Sequence, residues 1–157
     1  MTRTAIIVSV VSVLLLPIVA LAMMSLFARR PQNLGVVAGR LAACPASPNC
    51  VCSQETDKPH QIEPLEFGGS AADAIAQLKT IIASSPRAEI IDETDTYLHA
   101  EFTSGLFRFT DDVEFLIDEP SGVIHIRSAS RSGHSDLGVN RARMEAIRKE
   151  LSGKTGE

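Results

Sequence analysis

The pattern of apolar and polar positions changes character at about residue 28. Ala5 to Phe27 is 23 residues without a charge, longer than the ~20 that a helix needs to cross a bilayer. After a stretch with no sustained period, Gly68-Gly69-Ser70 marks a helix start, and Ala74, Ile75, Leu78, Ile81 and Ile82 recur at helical spacing until Ser84-Ser85-Pro86. Alternation with period two follows. Strands are expected near Arg87 to Asp92 and Thr96 to Thr103, around a polar Glu93-Thr94-Asp95 turn. Leu98, Ala100 and Phe102 fall on one face, and Tyr97, His99 and Glu101 on the other. A long strand carrying Phe107, Phe109, Val113, Phe115 and Ile117 turns at Glu119-Pro120-Ser121-Gly122 into a partner with Ile124 and Ile126. A last helix is expected from Ser135-Asp136, with Met144, Ile147 and Leu151 as its buried stripe and Gly153 as its stop. The fold class is therefore α+β: an N-terminal membrane segment, then a small two-layer domain whose mainly antiparallel four- to five-stranded sheet is covered by two helices.

The second hairpin fixes a register. If inward residues oppose inward residues, pairing positions have an odd sum, and closure around the turn sets Ile117 against Ile124. Ser128 then opposes Val113 and Asp111 opposes Ser130 on the inner face, while Glu114 faces Arg127 outside. An exposed pair of that kind contributes a few tenths of a kcal/mol, on the order of 0.2–1. The apolar face thus turns polar at one end, close to where the last helix begins.

Four segments result: 1–28, a transmembrane signal-anchor or a cleaved signal peptide; 29–43, a linker with Pro31, Gly35 and Gly39 as breakers; 44–153, the folded domain; and 154–157, a tail. Ala20-Leu21-Ala22 suits a cleavage site, but the apolar run continues through Met23, Met24, Leu26 and Phe27, which favours an anchor. Arg3 on one flank is balanced by Arg29 and Arg30 on the other, so charge barely orients the helix. The expected location is the inner (plasma) membrane, single-pass, with the lipid bilayer as partner through residues 5–27 and the domain on the periplasmic or outer side. Leu41-Ala42-Ala43-Cys44 imitates a lipid-attachment box, yet it stands behind Arg29 and Arg30, outside the apolar run.

Cys44, Cys50 and Cys52 lie within nine residues, with Pro45 and Pro48 bending the chain between the first two. In an exported protein Cys44 with Cys50 is the plain disulfide, leaving Cys52 over. A soft-metal site using the three thiolates and His60 is the competing reading, on a spacing that matches no standard zinc pattern. No metal and no cofactor is expected. Between Ser53 and Pro120 stand fifteen acidic and four basic residues, which argues against nucleic acid.

The stretch His125 to Arg143 is the candidate site, with Asp111, Arg127, Ser128, Ser130, Arg131, Asp136, Asn140 and Arg141 as ligand-binding candidates. A helix N-terminus flanked by arginines could hold a carboxylate or phosphate. The structural alternative is that Asp136 caps the helix, Asn140 and the serines tie down the loop, and Arg131 or Arg141 neutralises Asp111 or Asp136. No catalytic residue is assigned. Ser128 or Ser130, His125 and Asp111 contain the types of a hydrolytic triad, but alternation puts His125 on the wrong face. Each histidine reads as a surface residue. A non-catalytic module for a small anionic ligand or an envelope protein is expected, with an enzyme using Asp111 as acid or base, and arginines on an anionic substrate, as the alternative.

The loop Cys44-Pro45-x-x-Pro48-Asn49-Cys50-Val51-x-Ser53-Gln54, the strand Asp111-Asp112-Val113-Glu114-Phe115, and the run Arg127-Ser128-Ala129-Ser130-Arg131-x-Gly133-x-Ser135-Asp136-Leu137-Gly138-Val139-Asn140-Arg141 together resemble the Domain of Unknown Function 1499 family of bacteria and photosynthetic eukaryotes. The resemblance covers nearly all of Cys44 to Leu151 and brings no established activity. It implies Ser as the usual residue at position 52, which supports Cys44 with Cys50 as the pair.

Overall fold

The computed structural model of the protein describes residues 2–154; Met1 and residues 155–157, the end of the expected tail, lie outside the described residues. Helix α1 (Arg3–Phe27) is long and apolar enough to cross a membrane by length and composition. Two short strands, β1 (Cys50–Cys52) and β2 (Leu65–Glu66), precede helix α2 (Ala71–Ser84); β3 (Ala88–Glu93), β4 (Tyr97–Thr103), β5 (Thr110–Asp118), β6 (Val123–Ser130) and helix α3 (Val139–Lys154) follow. The sheet order is β1-β6-β5-β4-β3, with β2 also beside β6. Every pairing between these strands is antiparallel.

Helix α2 starts where the glycines and serine predict, because Ser70 and Asp73 form a reciprocal capping box that satisfies two backbone amides otherwise left without partners. Its stripe Ala74, Ile75, Leu78, Ile81 and Ile82 is buried against the inner face of the sheet with Met144, Ile147 and Leu151 of α3. That shared core positions the start of α3 over the end of β6.

The hairpin register is as derived: Ile117 pairs with Ile124, Val113 with Ser128, Glu114 with Arg127 and Asp111 with Ser130. Three boundaries differ, the smallest being that α3 runs through the expected stop at Gly153 to Lys154. Phe107 and Phe109 belong to a loop, since β5 starts at Thr110 and Arg108 has φ 55°, a left-handed conformation that interrupts an extended strand. Likewise α3 starts at Val139, four residues past Ser135, because Leu137 and Gly138 have φ 56° and 84°.

The outer face is the larger surprise. Residues 29–43 run across it, with the Gly35 amide donating to Glu114 Oε1 at 2.7 Å, Arg30 bonded to Glu101, and Leu41 buried while its amide donates to Gln54 Oε1. Glu114 and Arg127, expected to be solvent-exposed, are 0 % and 4 % accessible. A coil with no period of its own hides a face that alternation alone assigns to water.

Candidate functional site

The candidate residues form two polar clusters back to back across the end of the sheet. On the inner face Asn140, wholly buried, is the hub. Its Oδ1 accepts from Ser128 Oγ at 2.6 Å and from Arg143 Nη1 at 2.7 Å. Its Nδ2 donates to the Asn49 carbonyl and to Ser130 Oγ, both at 3.0 Å. Arg143 Nη2 donates to Asp111 Oδ2 at 2.6 Å, and its guanidinium stacks over Phe102 at 4.8 Å, a cation–π contact. Asn49 returns to donate to the Gly133 carbonyl at 2.7 Å. The cysteine loop, the last strand and the last helix are thereby tied at one point.

The partner of Asp111 is thus Arg143, in place of the expected Arg131 or Arg141. Arg143 lies three residues beyond Asn140, so both fall on one side of α3. The late start of that helix is what obscures the pairing in the sequence. Arg141 instead donates to the Pro59 and Gln61 carbonyls. Asp136 caps α3 as expected: its carboxylate accepts from the Gly138 amide at 3.1 Å and the Asn140 amide at 2.7 Å. These amides would otherwise be free to receive an anion.

The outer cluster is a buried ionic layer. Glu101 and Asp112 stand directly opposite on β4 and β5, an arrangement that repels unless a cation intervenes. Arg131 intervenes, bonding Glu101 through Nη2 and Asp112 through both Nε (2.8 Å) and Nη2 (2.7 Å). Burial works to raise both carboxyls. For Asp112, the hydrogen bonds of Arg131 and His99 outweigh it, and for Glu101 those of Arg131 and Arg30, so both lie below their ordinary range. The same carboxylates, Asp112 first, hold Arg131 well above its ordinary value. Next along the face, Arg127 Nη1 donates to Glu114 Oε2 at 2.9 Å and the Tyr97 hydroxyl donates to Glu114 Oε1 at 2.9 Å. Burial, then the charge of Glu114, pushes the Tyr97 phenol far up.

His99, Glu101 and Asp112 bring one donor atom each within 4.8 Å of one another, a grouping able to hold a cation; Arg131 supplies the positive charge there. Two histidines expected at the surface are buried: His99, against Asp112 Oδ1 at 2.8 Å, and His60, whose Nδ1 meets Asp57 Oδ2 at 2.5 Å and Nε2 the Ser47 carbonyl at 3.2 Å. His125 lies near Ser53 Oγ at 3.3 Å, across the sheet from Asp111 and Ser128, so these residues do not assemble a triad. Cys44 and Cys50 form the disulfide, with Cα atoms 5.7 Å apart. Two of the three thiolates of the metal reading are thereby consumed. Cys52 is free and buried, and burial raises its thiol pKa.

Sequence reasoning passed over Asn49, Glu101, Asp112 and Arg143 as site residues. The signal for Asp112 was its alternation with Asp111, which places it beside Arg131 on the outer face. All but Glu101 and Arg143 lie in the loop, strand and closing run quoted above. A family model described as "Protein of unknown function (DUF1499)" matches residues 40–151. The chain belongs to the DUF1499 family. The matched DUF1499 region takes in the cysteine loop, the whole sheet and nearly all of α3, and leaves α1 outside. No curated protein matches the chain.

Proposed function

We propose that this DUF1499 protein is a non-catalytic module, held by α1 in the inner membrane of a bacterium, whose extracytoplasmic domain binds an envelope protein. The observation that carries this reading is the internal neutralisation of the candidate site. Asp111 is matched by Arg143, Arg127 by Glu114, and Arg131 by Asp112 and Glu101, while Asp136 occupies the amides at the start of α3. An acid or base must reach a substrate proton, and an anion site must offer unspent donors. Apart from the Nε of Arg127, which is buried without a partner, these groups are spent on one another, which favours a protein partner over a small anion and a structural role for Asp111 over an acid–base one. The disulfide fits an oxidising compartment.

The test is cross-linking of the full chain in native bacterial membranes, followed by purification, for the wild type and Asp111→Asn. The expected result is one envelope protein joined to both. A small anion that co-purifies with the wild type, is lost in Arg131→Ala and is turned over only when Asp111 is present would overturn the proposal in favour of an enzyme. Orientation is tested separately by Ser121→Cys, in the exposed turn between β5 and β6, in a Cys52→Ser background. A membrane-impermeant maleimide should label it in intact spheroplasts, and labelling only after lysis would place the domain in the cytoplasm.

A further inference from the structure

We propose that the edge of the domain made by the β4–β5 loop and the β6–α3 loop enters the interfacial region of the lipid bilayer beside α1, giving the protein a second membrane contact. The inference rests on the reading of α1 as a membrane span.

Apart from α1, the large apolar side chains most open to solvent are Leu137, Leu106 and Val37, at 94 %, 82 % and 77 % accessible, followed by Val139 at 50 %. Val37 belongs to the segment across the outer face, whereas Leu106, Leu137 and Val139 lie at one end of the sheet, in or next to these two loops. Leu137 holds φ 56°, a left-handed conformation that is costly for a residue with a Cβ. In water, nothing about its side chain offsets that cost. Burial in an apolar phase would offset it, because a leucine side chain is stabilised on leaving water. Arg108, also left-handed at φ 55°, follows Leu106 and Phe107, so two apolar side chains precede an exposed cation. Such a sequence suits the acyl–headgroup boundary, with the guanidinium reaching lipid phosphate.

Depth is set by α1. The Ser25 hydroxyl donates to the Arg108 carbonyl at 2.8 Å. Ala22, Ser25 and Leu26 share one cleft with Leu106 and Phe107. Leu21 and Met24 share another, of about 280 Å³, with Phe109, Leu137 and Val139. At 1.5 Å per residue, Leu21 is about 9 Å and Met24 about 4.5 Å below Phe27 along the helix axis. Residues level with them stand within the last turns of the apolar run. If α1 spans, these loops cannot be in bulk water. The occupant that the geometry commits to is lipid, continuous with the lipid already around α1.

The experiment uses the full-length protein in vesicles of phosphatidylethanolamine and phosphatidylglycerol, with single cysteines placed in a Cys52→Ser background and carrying a fluorophore. Lipids with a quencher near the headgroup or deep in the acyl chain report depth. Leu106→Cys and Leu137→Cys should be quenched by the shallow quencher at least about twofold more than Ser121→Cys, in the turn at the far end of β5, roughly 30 Å away at ~3.3 Å per strand residue. Val13→Cys, in the middle of α1, should respond to the deep quencher. A deep signal at position 13 with positions 106 and 137 behaving like 121 would overturn the proposal while leaving the anchor intact. No deep signal at position 13 would overturn both. Unchanged far-ultraviolet dichroism for the two exposed loop variants checks that each is folded.

Discussion

Replacing Asn140 by alanine tests whether the candidate site is architecture. Its side chain makes four hydrogen bonds in a place with no water access. Not all the partners are orphaned by its loss: the Asn49 carbonyl still accepts from the Ser130 amide, and Arg143 still reaches Asp111 and Ser128 Oγ. Ser128, also wholly buried, loses the acceptor for its hydroxyl hydrogen, a desolvation cost of about 1–3 kcal/mol. The charged bond from Arg143 adds on the order of 1.5 kcal/mol and the neutral ones somewhat less each, while alanine's better helix propensity returns about 0.5 kcal/mol. The balance is a loss of roughly 3 kcal/mol, out of the ~5–15 kcal/mol that a domain possesses. For a domain of this size that lowers Tm by more than about 10 °C. Thermal unfolding of the full chain in detergent, followed by far-ultraviolet dichroism, reads it. Arg141→Ala, one residue away with only exposed bonds to carbonyls, should lose under about 1 kcal/mol. An Asn140→Ala protein as stable as wild type would refute the structural account and return the cluster to the status of a ligand site.

On the outer face, Glu114→Leu or Arg127→Met alone should cost about 3–5 kcal/mol, since either leaves a buried charge unpaired, and the double variant should cost less than either single one; single losses below about 1 kcal/mol would mean that solvent screens the pair. Both ring nitrogens of His60 face acceptors, Asp57 and the Ser47 carbonyl, so only the imidazolium can donate to both, and its hydrogen bond to Asp57 first of all raises its pKa. Its stabilisation is therefore complete below the unfolded value of about 6.5 and fades as pH rises through the folded one; urea midpoints that show the same pH trend in wild type and His60→Gln would contradict this. Cys44→Ser with Cys50→Ser should lower stability by about 2 kcal/mol for so short a loop, measured by urea unfolding. In the oxidised wild type, Cys52 should react with maleimide only after unfolding, and rapid labelling of the native protein would show that it is not buried.

The parts legible in the sequence were those in which one residue's position dictates another's. The turn at Glu119-Pro120-Ser121-Gly122 and the parity of Ile117 and Ile124 carried the register as far as Asp111 and Ser130, because a regular ladder propagates a single geometric constraint along its length. Local signals also located α2, through Ser70 and Asp73. What stayed hidden depends on contacts between segments far apart. The Gly35 amide on Glu114 joins residues 79 positions apart, in a segment whose own pattern predicts nothing. The backbone inversions at Arg108 and Leu137 are equally silent, because neither residue type favours the left-handed region. Shifting the start of α3 by four residues was enough to conceal that Arg143, and not Arg141, faces Asp111.

The two clusters also explain why a small sheet carries charge on both faces at one end. A slip of one residue between β5 and β6 would turn Arg127 and Arg131 toward the core and Ser128 and Ser130 away from it. Arg127 would leave Glu114, Arg131 would leave the opposed Glu101 and Asp112, and Asn140 would lose both serines. Each loss strands a buried polar or charged group, at several kcal/mol for an unpaired charge. A purely apolar face would impose a weaker penalty on that end of the hairpin, where no turn enforces the pairing. The length and specificity of the closing run therefore follow from architecture: Arg127, Ser128, Ser130, Arg131, Asp136 and Asn140 each have a partner within the chain. Binding is then better sought where side chains are left over, and Leu106 and Leu137, held out by inverted backbone beside α1, are such a place.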